Sequence, residues 1–206
     1  MKGFLFPGQG AQYVGMAQDL YAAKPQVKDR YIEAADVLGY DLAGLCFTGP
    51  EEKLKQTEFT QPAIFVHSVV AHDLFSEAGG GAHMMAGHSL GEYSALVAAG
   101  VLSFTEALLL VKARGEAMQE AGEESPGSMA AIIGLEDSKI ADLCETASTS
   151  GIVAAANFNS PGQVVISGEK SGIAKAVEIA PDYGARKAVE LEVGGAFHSP
   201  LMGSAR

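Results

Sequence analysis

The sequence predicts an α/β fold with a second, smaller α/β unit set into the first. A short apolar run, Met84 to Gly87, leads into Gly87-His88-Ser89-Leu90-Gly91 and then into small helix formers. This is the pattern of a strand that turns sharply into a helix. Between Gly127 and Val193 the periodicity runs strand, helix, strand, strand, helix, strand, the split-βαβ order of a ferredoxin-like unit.

Taken in order, Phe4 to Phe6 reads as a strand stopped by Pro7-Gly8. Helical patterns follow from about Met16 to Gly79, with an entry signal at Thr60-Gln61-Pro62, where proline suits a first turn. Met84 to Gly87 is a buried strand, and Ser89 to Ala99 and Phe104 to Ala121 are helices. After Gly122-Glu123-Glu124-Ser125-Pro126-Gly127 the character changes. Strands are expected over Met129–Leu135, Ile152–Asn157, Val164–Ser167 and Lys187–Val193, with helices over Asp137–Thr146 and Ile173–Ile179. The expected division is residues 1–126 and 194–206 in the larger domain and 127–193 in the smaller. The last segment, GGAFHSPLMGSAR, reads as the start of a helix returning to the larger domain, so the chain is expected to be part of a longer protein.

Composition narrows the classes. With 206 residues, 48% hydrophobic and 19% charged, the chain can bury a globular core. No apolar run is long enough to span a bilayer, and MKGFLFPGQG lacks the pattern of a secretory signal. Cys46 and Cys144 read as buried thiols of a reducing cytoplasm, and no metal-ligand cluster is expected. A net charge of −11 argues against nucleic-acid binding. The adjacent Arg186 and Lys187 read as solvated rather than as a docking site.

Ser89 is the candidate nucleophile. A serine between glycines is a weak signal alone, but here a strand leads in and a helix leads out. The Leu90 backbone N–H, at the helix start, can donate to a developing oxyanion. A second donor can come from the Pro7-Gly8-Gln9-Gly10 turn, which reads equally well as a plain strand-ending loop.

Five histidines compete as base. His67 sits among Phe65, Val69 and Val70 and reads as a satisfied core or interface residue; His72 reads as a surface residue and His83 as structural. His88 adjoins the serine, but neighbouring side chains in a tight turn point apart. His198, in a glycine-flexed loop downstream, is the remaining candidate. No acidic third member announces itself: Glu190 and Glu192 could be surface charges, and a carbonyl could equally hold the imidazole.

On a helical projection of residues 104–119, Phe104, Ala107, Leu108, Leu110, Val111, Ala117 and Met118 form one apolar arc, with Leu109 outside it. Arg114 falls inside that arc. A guanidinium aimed into a core needs an anion, either an internal carboxylate or a carboxylate of the substrate.

The motifs FPGQG, TQPA, GHSLGEYSAL, the arginine of VKARGEAM, NFNSPGQVVISG and FHSPLM occur in order. Together they resemble the malonyl-CoA:acyl-carrier-protein transacylase family of fatty-acid synthesis, related to polyketide acyltransferase domains, over essentially the whole chain. The resemblance implies an α/β-hydrolase-like large domain with the ferredoxin-like small one inserted. It also implies Ser89 as acylated nucleophile, His198 as base and then acid, and Gln9 and Leu90 amides as oxyanion hole. Arg114 would hold the malonyl carboxylate, and Phe197 would favour malonyl over a branched acyl group. In that family the chain continues beyond the last motif present here, and a backbone carbonyl from the later part orients the histidine. Expected partners are malonyl-CoA as substrate and acyl carrier protein, with no metal or cofactor, no nucleic acid and no membrane, in a cytoplasmic monomer. The alternatives are a serine hydrolase or thioesterase on the same turn, or an inactive fragment that binds carrier protein.

Overall fold

The computed structural model describes residues 1–206. Near the start of the chain, β1 (Gly3–Phe6) and β2 (Met84–Gly87) pair in parallel, with Gly3 opposite Met84 and Phe6 opposite Gly87. A parallel pair needs a long crossover, and five helices supply it. They are α1 (Gln18–Ala23), α2 (Pro25–Leu38), α3 (Leu42–Thr48), α4 (Glu51–Leu54) and α5 (Thr57–Glu77). The breaks between them have local causes. Gly39 ends α2 at φ 82°, and Asp41 caps α3 by accepting the Gly44 N–H at 2.9 Å. Pro50 then opens α4 in extended conformation.

Helix α5 begins three residues before the expected entry, so Pro62 lies inside the helix rather than in its first turn. Thr57, Thr60, Gln61, Ala63, Ile64, Phe65 and Val66 are all buried, so packing on every side outweighs the hydrogen bond that proline forfeits. Phe65 stacks on Phe104 with centroids 5.6 Å apart. His72, expected at the surface, is instead largely covered, its ring 5.5 Å from that of Phe4. His67, expected as a satisfied core or interface residue, is half-buried, and its buried Nδ1 has no partner.

After β2 come α6 (Gly91–Ala98) and α7 (Phe104–Glu124). On α7, Phe104, Ala107, Leu108, Val111, Met118 and Ala121 are buried, while Leu110 is 48% exposed. The expected arc is therefore narrower on that side: Leu110 joins Leu109 outside it.

Two compact units emerge from the chain's contacts, Met1–Glu116 and Ala117–Arg206. The second unit contains β3 (Gly127–Ile133), α8 (Asp137–Ala147), β4 (Val153–Ser160), β5 (Gln163–Glu169), α9 (Lys170–Ile179) and β6 (Lys187–Leu191). Its strands lie in the order β4-β5-β3-β6, antiparallel throughout. Strand alternation gives this sheet two apolar faces. Ala130, Ile132, Val164 and Ile166 face α8 and α9. Met129 and Val165 point the other way, where Met118 and Ala121 of α7 pack with Phe197 and Met202. Both faces of the sheet are thereby covered. The last segment, Pro200–Ala205, is a 3₁₀ turn with a kink at Met202. Both cysteines are free and buried.

Candidate active site

The close approach of three backbone segments builds the site in the first unit. A Cβ on Gly87 would overlap the backbone of Gly91 and Glu92, and one on Gly91 would overlap the Phe6 carbonyl. Only glycine lets the end of β2, the start of α6 and the end of β1 meet this closely. Between the two glycines Ser89 is held at φ 54°, a left-handed conformation of order 1–3 kcal/mol in cost for a side-chain-bearing residue. The turn is pinned by His88 N–H to the Phe6 carbonyl at 3.0 Å and Glu92 N–H to the Ser89 carbonyl at 3.1 Å. Strain maintained at a half-buried hydroxyl is the property expected of a nucleophile elbow.

The Gly8 turn lies against this elbow. A Cβ on Gly8 would stand 2.6 Å from the His88 carbonyl oxygen and 2.8 Å from its Nδ1. Gln9 is half-buried beside it, and its side-chain Nε2 donates to Thr57 Oγ1, 3.3 Å away at the start of α5. Neither Gln9 nor Leu90 gives its backbone N–H to another group of the chain, whereas Gly91, Glu92 and Tyr93 give theirs to carbonyls of the elbow. Gln9 and Leu90 thus each carry an uncommitted donor next to the serine turn.

Arg114 connects the elbow to α5. Its Nη2 donates to Ser89 Oγ at 2.9 Å and its Nη1 to Gln61 Oε1 at 2.7 Å. The guanidinium lies 5.9 Å from the centre of the Tyr93 ring. Burial pulls its pKa below the ordinary guanidinium value, while the fields of Tyr93 and Glu92 act against that shift. Of the two expected partners, the internal carboxylate is absent: both contacts are to neutral oxygens. A half-buried cation held by neutral groups beside a serine hydroxyl can accept an incoming anion.

His198 and Phe197 lie in the second unit. His198 is exposed at φ 58°, between buried Phe197 and buried Ser199. Ser199 Oγ donates to the Ala196 carbonyl at 2.6 Å and accepts from Leu201 N–H, fixing the turn that presents the imidazole. Phe197 packs with Met118, Met129, Val165 and Met202. Glu190, weighed as a third member, accepts from Ser128 Oγ at 2.6 Å, and Glu192 is exposed. His83 ties the starts of the two parallel strands through Lys2, and His88 is exposed, with its Nδ1 toward Gly8.

Of the residues picked out in the sequence, Ser89, Leu90, Gln9 and Arg114 belong to the first unit's elbow and its surroundings. Gln61 and Thr57 were not picked out. Both are buried polar residues four apart on one face of α5. Two polar side chains at that spacing, ahead of the apolar run Ala63–Val66, were the available signal. Starting the helix at Thr60 placed Thr57 outside it and hid the pair.

Residues 3–206 match the family described as the acyl transferase domain. The malonyl CoA-acyl carrier protein transacylase of Escherichia coli K12 is 50% identical over 200 residues, covering 97% of this chain and 65% of its own length. The enzyme of the same name from Bacillus subtilis is 46% identical over 200 residues, covering 97% and 63%. Among solved structures, the acyl-carrier-protein S-malonyltransferase of Burkholderia pseudomallei superposes with a TM-score of 0.92 at 46% identity, covering 98% of this chain and 66% of that one. A malonyl-transacylase in complex with a type II PKS acyl carrier protein gives 0.93 at 48% identity, covering 98% and 66%. The chain therefore spans about 65% of the length of the curated relatives it matches.

Proposed function

The chain belongs to the acyl transferase domain family, and from that premise we propose that it transfers a malonyl group from malonyl-CoA to the phosphopantetheine thiol of acyl carrier protein. The observation that carries this reading is Arg114, a half-buried guanidinium bonded to Ser89 Oγ and Gln61 with no carboxylate of its own. A malonyl thioester brings a free carboxylate to a site where a cation waits beside a serine.

In the first half-reaction His198 takes the Ser89 hydroxyl proton as Oγ attacks the thioester carbonyl carbon. The Gln9 and Leu90 N–H groups donate to the oxyanion as it forms. The tetrahedral intermediate collapses, the C–S bond breaks, and coenzyme A leaves as a thiol with the proton from His198. In the second half the carrier's thiol gives its proton to His198, its sulfur attacks the malonyl-serine, and Ser89 regains a proton as it departs. Arg114 grips the malonyl carboxylate through both halves, so an acetyl group leaves the guanidinium unmatched. Phe197 favours malonyl over branched acyl groups. No cofactor beyond the coenzyme A ester is needed for these steps.

The finer fold reading is of the same standing. The parallel β1–β2 pair feeding the elbow supports a hydrolase-like first domain. The order β4-β5-β3-β6 supports a ferredoxin-like second one. A cytoplasmic monomer of fatty-acid synthesis that binds neither membrane nor nucleic acid belongs to the same proposal; the net charge of −11 argues against nucleic acid, and no helix is long and apolar enough to cross a membrane.

The test is the intact mass of the protein after mixing with malonyl-CoA and no acceptor, with Ser89→Ala alongside. The expected result is a malonyl adduct absent from Ser89→Ala and discharged by carrier protein. Steady turnover with water and no lasting adduct would identify a hydrolase instead.

A further inference from the structure

We infer that Thr57 is a positioning residue for the oxyanion hole, its hydroxyl holding the Gln9 side chain so that the Gln9 backbone N–H points at the reacting carbonyl oxygen. The inference rests on the oxyanion role given to Gln9 above and extends it to a residue that touches no substrate.

Gln9 sits in a short turn with little to fix it. On one side Gly8 is wedged against the His88 carbonyl, with no room for a Cβ. On the other, Gly10 is at φ 104° with open space around its Cα, and its N–H is taken by the Gln12 side chain at 2.8 Å. A peptide between a wedged glycine and a free one can rotate about its flanking bonds. The contact from Gln9 Nε2 to Thr57 Oγ1, at 3.3 Å, is the tether reaching it from outside the turn. Thr57 can serve as an anchor because it is immobile: it is 1% exposed and is the first residue of a 21-residue helix. Next to it α7 crosses at Gly115, where a Cβ would lie 3.3 Å from the Thr57 carbonyl oxygen and 3.1 Å from Glu58 Cα. One turn along the same face Gln61 holds Arg114. The start of α5 therefore sets both the oxyanion donor, through Thr57, and the cation, through Gln61, from one rigid element. A misplaced oxyanion donor weakens transition-state binding without altering how the ground state is held.

The test compares Thr57→Val, which keeps the shape and removes the hydroxyl, with Thr57→Ser, which keeps the hydroxyl. Two reagents read Ser89: malonyl-CoA, followed by adduct mass, and a fluorophosphonate, whose attack also develops charge on oxygen. Thr57→Val should slow acylation on the order of tenfold through its maximal rate, with half-saturation by malonyl-CoA and the malonyl-to-acetyl preference unchanged. It should slow fluorophosphonate labelling likewise, and Thr57→Ser should restore most of both rates. Gln9→Ala cuts the same tether from the other end, so combining it with Thr57→Val should add little further loss. A protein that ignores malonyl-CoA but whose Ser89 takes the fluorophosphonate more slowly in Thr57→Val would refute the malonyl reading and retain this one. Wild-type labelling rates in Thr57→Val, failure of Thr57→Ser to rescue, a change confined to half-saturation, or full additivity with Gln9→Ala would each overturn the proposal. So would a wild-type Ser89 inert to both reagents.

Discussion

At the residue scale, Arg114 shows what helical periodicity can disclose and where it stops. Its place in an apolar arc raised the question of a buried charge, and the contacts to Ser89 and Gln61 answer that no internal carboxylate meets it. Arg114→Ala should therefore lower acylation by malonyl-CoA on the order of 100-fold, the scale of losing one partner of a desolvated pair. It should leave acetyl-CoA at its wild-type rate or faster, because the unmatched cation is gone. Competing the two thioesters for Ser89 and weighing the adducts measures this, and unchanged malonyl preference would remove the clamp. His67 gives a second residue-scale prediction. Burial lowers its pKa below the ordinary imidazole value of about 6.5, with Asp19 opposing. The unfolded chain then takes up the proton first as pH falls. Stability is thus full above the unfolded value and is lost on acidification through the folded one. The melting temperature of the wild type should fall more between about pH 8 and about pH 5 than that of His67→Gln.

At the element scale, the strands were legible in place but not always in burial: Met84–Gly87, expected to be buried, alternates between exposed and half-buried residues, with Met84 54% exposed. β3 and β5 alternate strictly, Ala130 and Ile132 against Met129, and a period of two leaves little choice of face. The elbow was legible for a different reason, since Gly87 and Gly91 are demanded by backbone overlap and no side chain substitutes for them. Helix α5 was harder to read. Its start is fixed by the burial of Thr57, while Pro62, a local entry signal, was overridden by packing on every side. The same tertiary effect leaves Leu110 outside the buried arc of α7, because a helix face is set by what lies opposite it and not by its own apolar count. Local chemistry does decide the start of α3, where Asp41 takes the Gly44 N–H. Asp41→Ala should cost about 1 kcal/mol of stability by urea denaturation, with Asp41→Asn recovering most of it. A loss confined to a few tenths would mean that packing of Leu42, Leu45 and Cys46 holds α3 without its cap.

For the whole molecule, charge is the property that the sequence states in full and no single contact explains. Twenty-five acidic residues face 14 basic ones. Few of these charges are paired: ion pairs join Arg30 to Glu33 and Asp73, Lys55 to Glu51, and Lys175 to Glu178. Pairs as exposed as Lys55–Glu51 contribute little against solvent screening, so the surplus of −11 governs the electrostatic balance. Self-repulsion of that surplus acts over a screening length of roughly 20–30 Å in dilute buffer and about 8 Å at physiological salt. The ion pairs predict loss of stability on adding salt, and the surplus predicts gain. With so few pairs, the surplus should win: at about pH 8, where His67 is neutral, raising sodium chloride from about 20 to about 200 mM should raise the melting temperature by a few degrees. A fall would show that the ion pairs around Arg30 outweigh the repulsion. Acidification separates the two charge effects, because protonating surface carboxylates relieves the repulsion whereas protonating His67 opposes folding. Low salt at pH 5 should therefore leave His67→Gln more stable relative to the wild type than low salt at pH 8 does.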